Sequence, residues 1–183
     1  AEVHFLKAIN LDPTYSLAMR NLGDIYLEQH NNDQAILWLE KATSANPQSL
    51  YGLYWLGRAH VQNNNIQQGI QYFLKVLTQK PDLPQVHHDL GKAYFMNRDY
   101  KKALEHVQYA LNRNSSMIPY YITLSQIYDH MQLEKKALAA LQDALVIDRS
   151  MVDIYIERGN INKNAGRFED ALKEYNIAAL IKP

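Results

Sequence analysis

The sequence predicts an all-α protein, a linear array of helical hairpins that repeats every 34 residues, and three observations predict it. A leucine–glycine pair recurs at Leu22-Gly23, Leu56-Gly57 and Leu90-Gly91, and Leu124-Ser125 and Arg158-Gly159 continue the step. A second small residue keeps the same interval at Ala35, Gly69, Ala103, Ala137 and Ala171. A third series runs Ala42, Val76, Ala110, Ala144 and Ala178, each three residues after a bulky Leu39, Phe73, Val107, Leu141 or Tyr175. Self-similarity at one fixed period marks stacked supersecondary units. Seven glycines and six prolines in 183 residues are few chain-breakers, as helices require.

The elements follow in order. Residues 1–13 carry Ala1, Phe5, Ala8 and Pro13 at second-helix positions, so they read as half a repeat. The first full repeat begins near Ser16. Its first helix places Ala18, Met19, Leu22, Gly23, Ile25 and Tyr26 at helical spacing, and its second places Ala35, Ile36, Leu39 and Ala42 on one face. The polar run Gln29-His30-Asn31-Asn32 turns the chain between them. Repeats two to five begin near Leu50, Pro84, Ile118 and Val152, with comparable turns at Asn63-Asn64-Asn65 and Asn164-Ala165-Gly166. Pro13, Pro47, Pro81 and Pro183 close units by withholding a backbone donor. Small residues recur because antiparallel helices approach closely only where one side chain nearly vanishes, and aromatic rings fill the adjoining gaps. The fifth repeat departs from the pattern, with Arg158 and Asn162 where leucine and tyrosine stand elsewhere.

Composition removes several function classes. Nineteen basic residues balance nineteen acidic ones, so no global field draws the chain to nucleic acid or to an anionic membrane. The absence of cysteine excludes disulfides and thiolate chemistry. No apolar run approaches the roughly 18 residues of a membrane span, and AEVHFLKAIN lacks the layout of a signal peptide. The expectation is a soluble chain without direct membrane insertion, leaning to the cytoplasm. None of the seven histidines has another four residues on, the spacing of a helical zinc site, and no phosphate loop or nucleophile elbow is present. No cofactor, metal or catalytic residue is expected.

The pattern closely resembles the tetratricopeptide repeat family, whose unit is a 34-residue helix-turn-helix. The resemblance spans residues 1–183 as a single array of about five and a half repeats. It implies a right-handed α-solenoid in which the first helices line a concave groove. Since residue 1 already stands inside a second helix and no polar cap follows Pro183, a piece of a longer array is expected. Carried over position by position, the resemblance puts Arg20, Asp24, Tyr51, Tyr54, Trp55, Arg58, His88, Lys92, Phe95, Gln126 and Asn160 on the groove wall. Tyr51, Tyr54, Trp55 and Arg58 gather the residue types most enriched at binding hot spots. Arg20, Arg58 and Lys92 add a basic strip.

The leading expectation is a non-catalytic scaffold that holds a peptide or protein segment in this groove. The ligand would bring an aromatic or aliphatic anchor to Tyr54 and Trp55, and an acidic group to Arg58 and Lys92. A clamp for chaperone tails is disfavoured, because Asp24 and Asp89 stand where that subclass needs donors. Two alternatives remain in other classes. One is the substrate-recruiting arm of a larger enzyme such as a transferase. The other is a self-assembling scaffold, a homo-oligomer stacked through residues 1–10 and through Tyr175, Ile177 and Leu180.

Overall fold

The computed structural model describes residues 2–181; Ala1, Lys182 and Pro183 lie outside the described residues, and with them the first and last of the positions read above. Eleven helices are found among the described residues, and no strand. They are α1 (Glu2–Leu11), α2 (Ser16–Glu28), α3 (Asn32–Ala45), α4 (Leu50–Gln62), α5 (Ile66–Gln79), α6 (Pro84–Met96), α7 (Tyr100–Arg113), α8 (Ile118–His130), α9 (Glu134–Ile147), α10 (Val152–Asn164) and α11 (Phe168–Ile181). First helices have 13 residues and second helices from α3 onward have 14. The chain forms two compact units, residues 1–98 and residues 99–183.

In the first unit each helix packs on the next, and α2 also touches α4 as α4 touches α6. The second helices α3 and α5 make no such contact. The first helices are therefore the tighter side of the stack and the second helices the outer side. The second unit repeats this arrangement, with α8 touching α10 while α9 and α11 stay apart.

The recurrent small residues do what close packing demands. A Cβ on Gly57 would stand 2.8 Å from Phe73 Cε1. A Cβ on Gly69 would collide with Val61 Cγ2 and stand 2.9 Å from the Gly57 carbonyl. Neither helix of the α4–α5 hairpin has room for even a methyl at the crossing. Leu39, Phe73, Val107 and Leu141, the bulky partners read from the sequence, are almost wholly buried. One apolar cluster gathers Ala35, Leu39, Leu56 and Ala59 in the first unit, and another gathers Ala137, Leu141, Ala144 and Ile154 in the second.

Turns within the hairpins share one device. His30, Asn64, Arg98, Gln132 and Gly166 all adopt left-handed backbone, with φ of 57°, 62°, 61°, 60° and 78°. After His30, Asn64, Gln132 and Gly166 the next residue donates its N–H back across the turn, as Asn65 does to the His60 carbonyl at 2.8 Å and Arg167 to that of Asn162 at 2.9 Å. Side chains then tie turn to turn. Asn32 Nδ2 donates to the Gln62 carbonyl at 3.1 Å, and Asn164 Nδ2 to Asp129 Oδ2 at 3.2 Å.

The irregular fifth repeat pairs its polar residues in part. Arg158 pairs with Glu174 at 2.9 Å, and Asn162 Oδ1 accepts from Arg167 Nη2 at 2.7 Å. Arg167 also reaches Glu134 at 2.9 Å. The departures from leucine and tyrosine thus each have a polar partner, Glu174 on α11 for Arg158 and Arg167 in the α10–α11 turn for Asn162.

Candidate functional site

The wall of the first unit is built by α2, α4 and α6, which carry nine of the residues singled out from sequence: Arg20, Asp24, Tyr51, Tyr54, Trp55, Arg58, His88, Lys92 and Phe95. Ser49 begins α4 by accepting the Gly52 N–H on its Oγ at 3.1 Å, and Pro84 opens α6, where a missing donor costs nothing. These features set where the two helices begin.

At its centre stands Asp89, its side chain 15% exposed. Tyr54 Oη donates to Asp89 Oδ2 at 2.6 Å, His88 Nδ1 lies 3.5 Å from Oδ1, and Arg58 Nε lies 3.9 Å from Oδ2. Burial disfavours the charged carboxyl, but His88, Tyr54 and Arg58 together outweigh it and hold Asp89 below its ordinary value. The same contact, with burial as the larger cause, lifts the Tyr54 phenol well above its ordinary value. Tyr54 is therefore a fixed neutral donor.

Arg58 lies across this network. Its guanidinium sits 4.5 Å from the centre of the Trp55 ring and 5.9 Å from that of Tyr54, and the two rings meet edge to face at 5.4 Å. Such stacking presents an arginine at fixed orientation while its outward N–H groups stay in water. Its side chain is 44% exposed. Trp55 is half-buried, one side packed on the cluster of Leu39, Leu56 and Ala59. It serves packing and surface at once.

The remaining wall residues fall into distinct settings. Tyr51 is 67% exposed, with the Arg20 guanidinium 5.5 Å from its ring centre. Arg20 also donates to Asn21 Oδ1 at 2.8 Å. Burial, reinforced by Glu28, raises the Asp24 carboxyl above its ordinary value against the pull of Arg58 and Arg20. Lys92 is exposed and Phe95 half-buried, whereas His88 is buried. In the second unit Gln126 and Asn160 are half-buried beside Glu157. Gln126 Nε2 donates to Glu157 Oε2 at 3.3 Å, and Asn160 Oδ1 accepts from Tyr175 at 2.8 Å. Burial raises the Glu157 carboxyl despite Gln126 and Asn160.

Position in the repeat leaves two things unsaid, the role of Asp89 and a recess beside Tyr54. Asp89 is the hub of the polar network, and only a pairing between repeats, which periodicity does not encode, makes it so. Beside Tyr51 and Tyr54 opens a recess lined by Leu50, Val76 and Leu83. Its signal in the sequence is a change at fixed register, leucine at 50 and 83 where serine stands at 16 and 49.

The family model described as "Tetratricopeptide repeat" matches residues 4–50, 20–84 and 54–118. The chain belongs to the tetratricopeptide repeat family. Arrays of this family are typically non-catalytic scaffolds for protein–protein interaction. No curated protein matches the sequence. Among solved structures, the thermophilic tetratricopeptide protein TTC0263 of Thermus thermophilus superposes with a TM-score of 0.80 at 21% identity, covering 92% of each chain. MamA of Desulfovibrio magneticus RS-1, from residue 41 to its end, gives 0.76 at 19% identity over 91% of this chain and 94% of that one. YrrB, a tetratricopeptide protein with an unusual peptide-binding site, gives 0.70 at 18% identity over 100% of this chain and 94% of the other. At these identities the likeness is one of fold. Among the described residues no helix is long and apolar enough to cross a membrane.

Proposed function

We propose that this tetratricopeptide chain is a non-catalytic scaffold that holds an extended peptide or protein segment against the wall of α2, α4 and α6. The observation that carries the reading is the Tyr54–Trp55–Arg58–Asp89 assembly. Asp89 accepts from Tyr54, and Arg58 sits over the Trp55 ring with much of its side chain in water, so a cation and an aromatic surface are held ready with little side-chain entropy left to lose. An acidic or carboxylate group on the ligand meets Arg58 and Lys92, and an apolar group meets the ring faces. The peptide-binding relative YrrB supports the reading at the level of fold.

The test is a pull-down from native lysate with the chain and with a Trp55→Ala/Arg58→Ala version. The recovered partner is identified and titrated against both. The double variant is expected to lose about 2 kcal/mol or more of binding while keeping its helical circular dichroism. Equal affinity for both versions moves the site off this wall.

A second reading is favoured by one contrast. Leu172 on α11 is 59% exposed, although Ile70 at the same register in α5 is 5% exposed. With Phe168, 69% exposed on the same helix, it offers a face on which a second copy stacks. Light scattering over a concentration series tests this, and a strict monomer rejects it.

A further inference from the structure

Two cavities open along the wall of the first unit, and they occupy the same place in successive repeats. The smaller, about 160 Å³, lies where α2 and α3 meet the start of α4, and Ser16, Arg20, Asn46 and Ser49 line it. The larger, about 320 Å³, lies where α4 and α5 meet α6. Leu50, Tyr54, Lys80 and Leu83, each 34 residues further on, take the corresponding places. Two serines have become leucines, an arginine has become a tyrosine and an asparagine has become a lysine. One architectural recess is therefore polar in the first repeat, and apolar and twice as large in the second.

The two are joined by one pair of side chains. Tyr51 lines the larger cavity, and the guanidinium of Arg20, which lines the smaller, lies over the Tyr51 ring. Arg20 Nε and Nη2 are spent on Asn21 Oδ1 at 3.3 and 2.8 Å, and Nη1 is not. Asp24, one turn along α2, closes no ion pair with Arg20 among the described residues. The charged residues lining the two cavities are Arg20 and Lys80, both cations. A ligand complementary to this charge is acidic around an apolar centre.

We propose that the paired cavities read a two-part motif in the bound segment. A large apolar side chain of leucine or phenylalanine type sits in the α4–α5–α6 cavity, and a glutamate or aspartate meets Arg20. Packed helices lie roughly 8–10 Å apart, and an extended chain advances about 3.3 Å per residue, so the two ligand residues stand about three apart. The inference rests on the wall being the binding face and names what that face selects.

The experiment measures fluorescence anisotropy of labelled Gly/Ser peptides carrying one leucine and one glutamate three residues apart, made in both orders, with the full chain. One order is expected to bind about tenfold more tightly than its Leu→Ala and its Glu→Gln versions. Leu50→Ser/Leu83→Ser installs residues already present in the first repeat, and is expected to abolish the preference for leucine while keeping that for glutamate. Arg20→Gln is expected to do the reverse. No binding at millimolar peptide, binding without either preference, or preferences unmoved by these variants overturns the inference. A partner segment that Trp55→Ala/Arg58→Ala releases and Leu50→Ser/Leu83→Ser does not would sink the motif and leave the wall standing. A segment indifferent to all four substitutions would remove both.

Discussion

His60 stands where Tyr26, Tyr94 and Tyr128 stand in other repeats, stacked on Tyr72 with ring centroids 5.4 Å apart and only 6° between planes. It is buried, and its Nδ1 has no hydrogen-bond partner. Burial pushes its pKa below the ordinary value against the pull of Glu40. An unfolded chain therefore takes up the proton first. The stability contribution is complete above the unfolded value, about 6.5, and is lost as pH falls through it toward the folded value. The thermal midpoint of the parent is expected to drop more between pH 7.5 and 5.5 than that of His60→Tyr, which restores the residue of the other repeats. Parallel drops in the two would show that His60 does not titrate differently in the fold. Ser125 is a related case. It holds the place of the recurrent glycine, fully buried, with an Oγ that meets no partner. Ser125→Ala removes an orphaned hydroxyl and is expected to stabilise the chain by about 1 kcal/mol in urea denaturation. A loss of stability would mean that the hydroxyl is satisfied.

At the scale of the element, the hairpin turn is the informative piece. Four of the five left-handed positions carry a residue with a side chain, and only the fifth carries glycine. Around Gly166 no atom lies within 4 Å of a built Cβ, so a substitution there is resisted by the backbone alone. Gly166→Ala is expected to cost about 1 kcal/mol, the penalty of left-handed backbone for an L-residue. A neutral result in chemical denaturation would mean that the α10–α11 turn relaxes out of this conformation. The elements were legible in the sequence for a plain reason. Helix crossings demand a vanishing side chain at Gly57 and Gly69, and a demand of that kind repeats visibly. The site was legible only in part. Position in the repeat put Tyr54, Trp55 and Arg58 on one helix, but the partner of Tyr54 is Asp89, 35 residues on. His88, a groove position by register, is buried beside Asp89. Pairings between repeats are chosen by reach and charge, which no periodicity records.

For the whole chain, stability should vary with the number of neighbours each helix has, since in a repeat array every layer is held by the layers beside it. Among the described residues α1 buries Ile9 and packs on α2, and α11 buries Ala171 and Ala178 and packs on α10. By contrast α4 buries Leu53, Leu56 and Ala59 along with two glycines and His60, and touches α2, α3, α5 and α6. Each buried aliphatic side chain contributes roughly 1.5–3 kcal/mol relative to exposure, so α1 and α11 hold far less than α4. Local opening of α1 and α11 then precedes global unfolding, with amide exchange free energies well below that of α4 and α5. Hydrogen exchange followed residue by residue is expected to rank α4 and α5 as the slowest helices of the first unit, and α11 as the fastest of the second. Self-association through the exposed Phe168 and Leu172 would slow exchange in α11 selectively as protein concentration rises. Exchange that is uniform from α1 to α11 would instead mean that the 183 residues unfold as one cooperative block. Local packing would then not set the stability of a helix in this array.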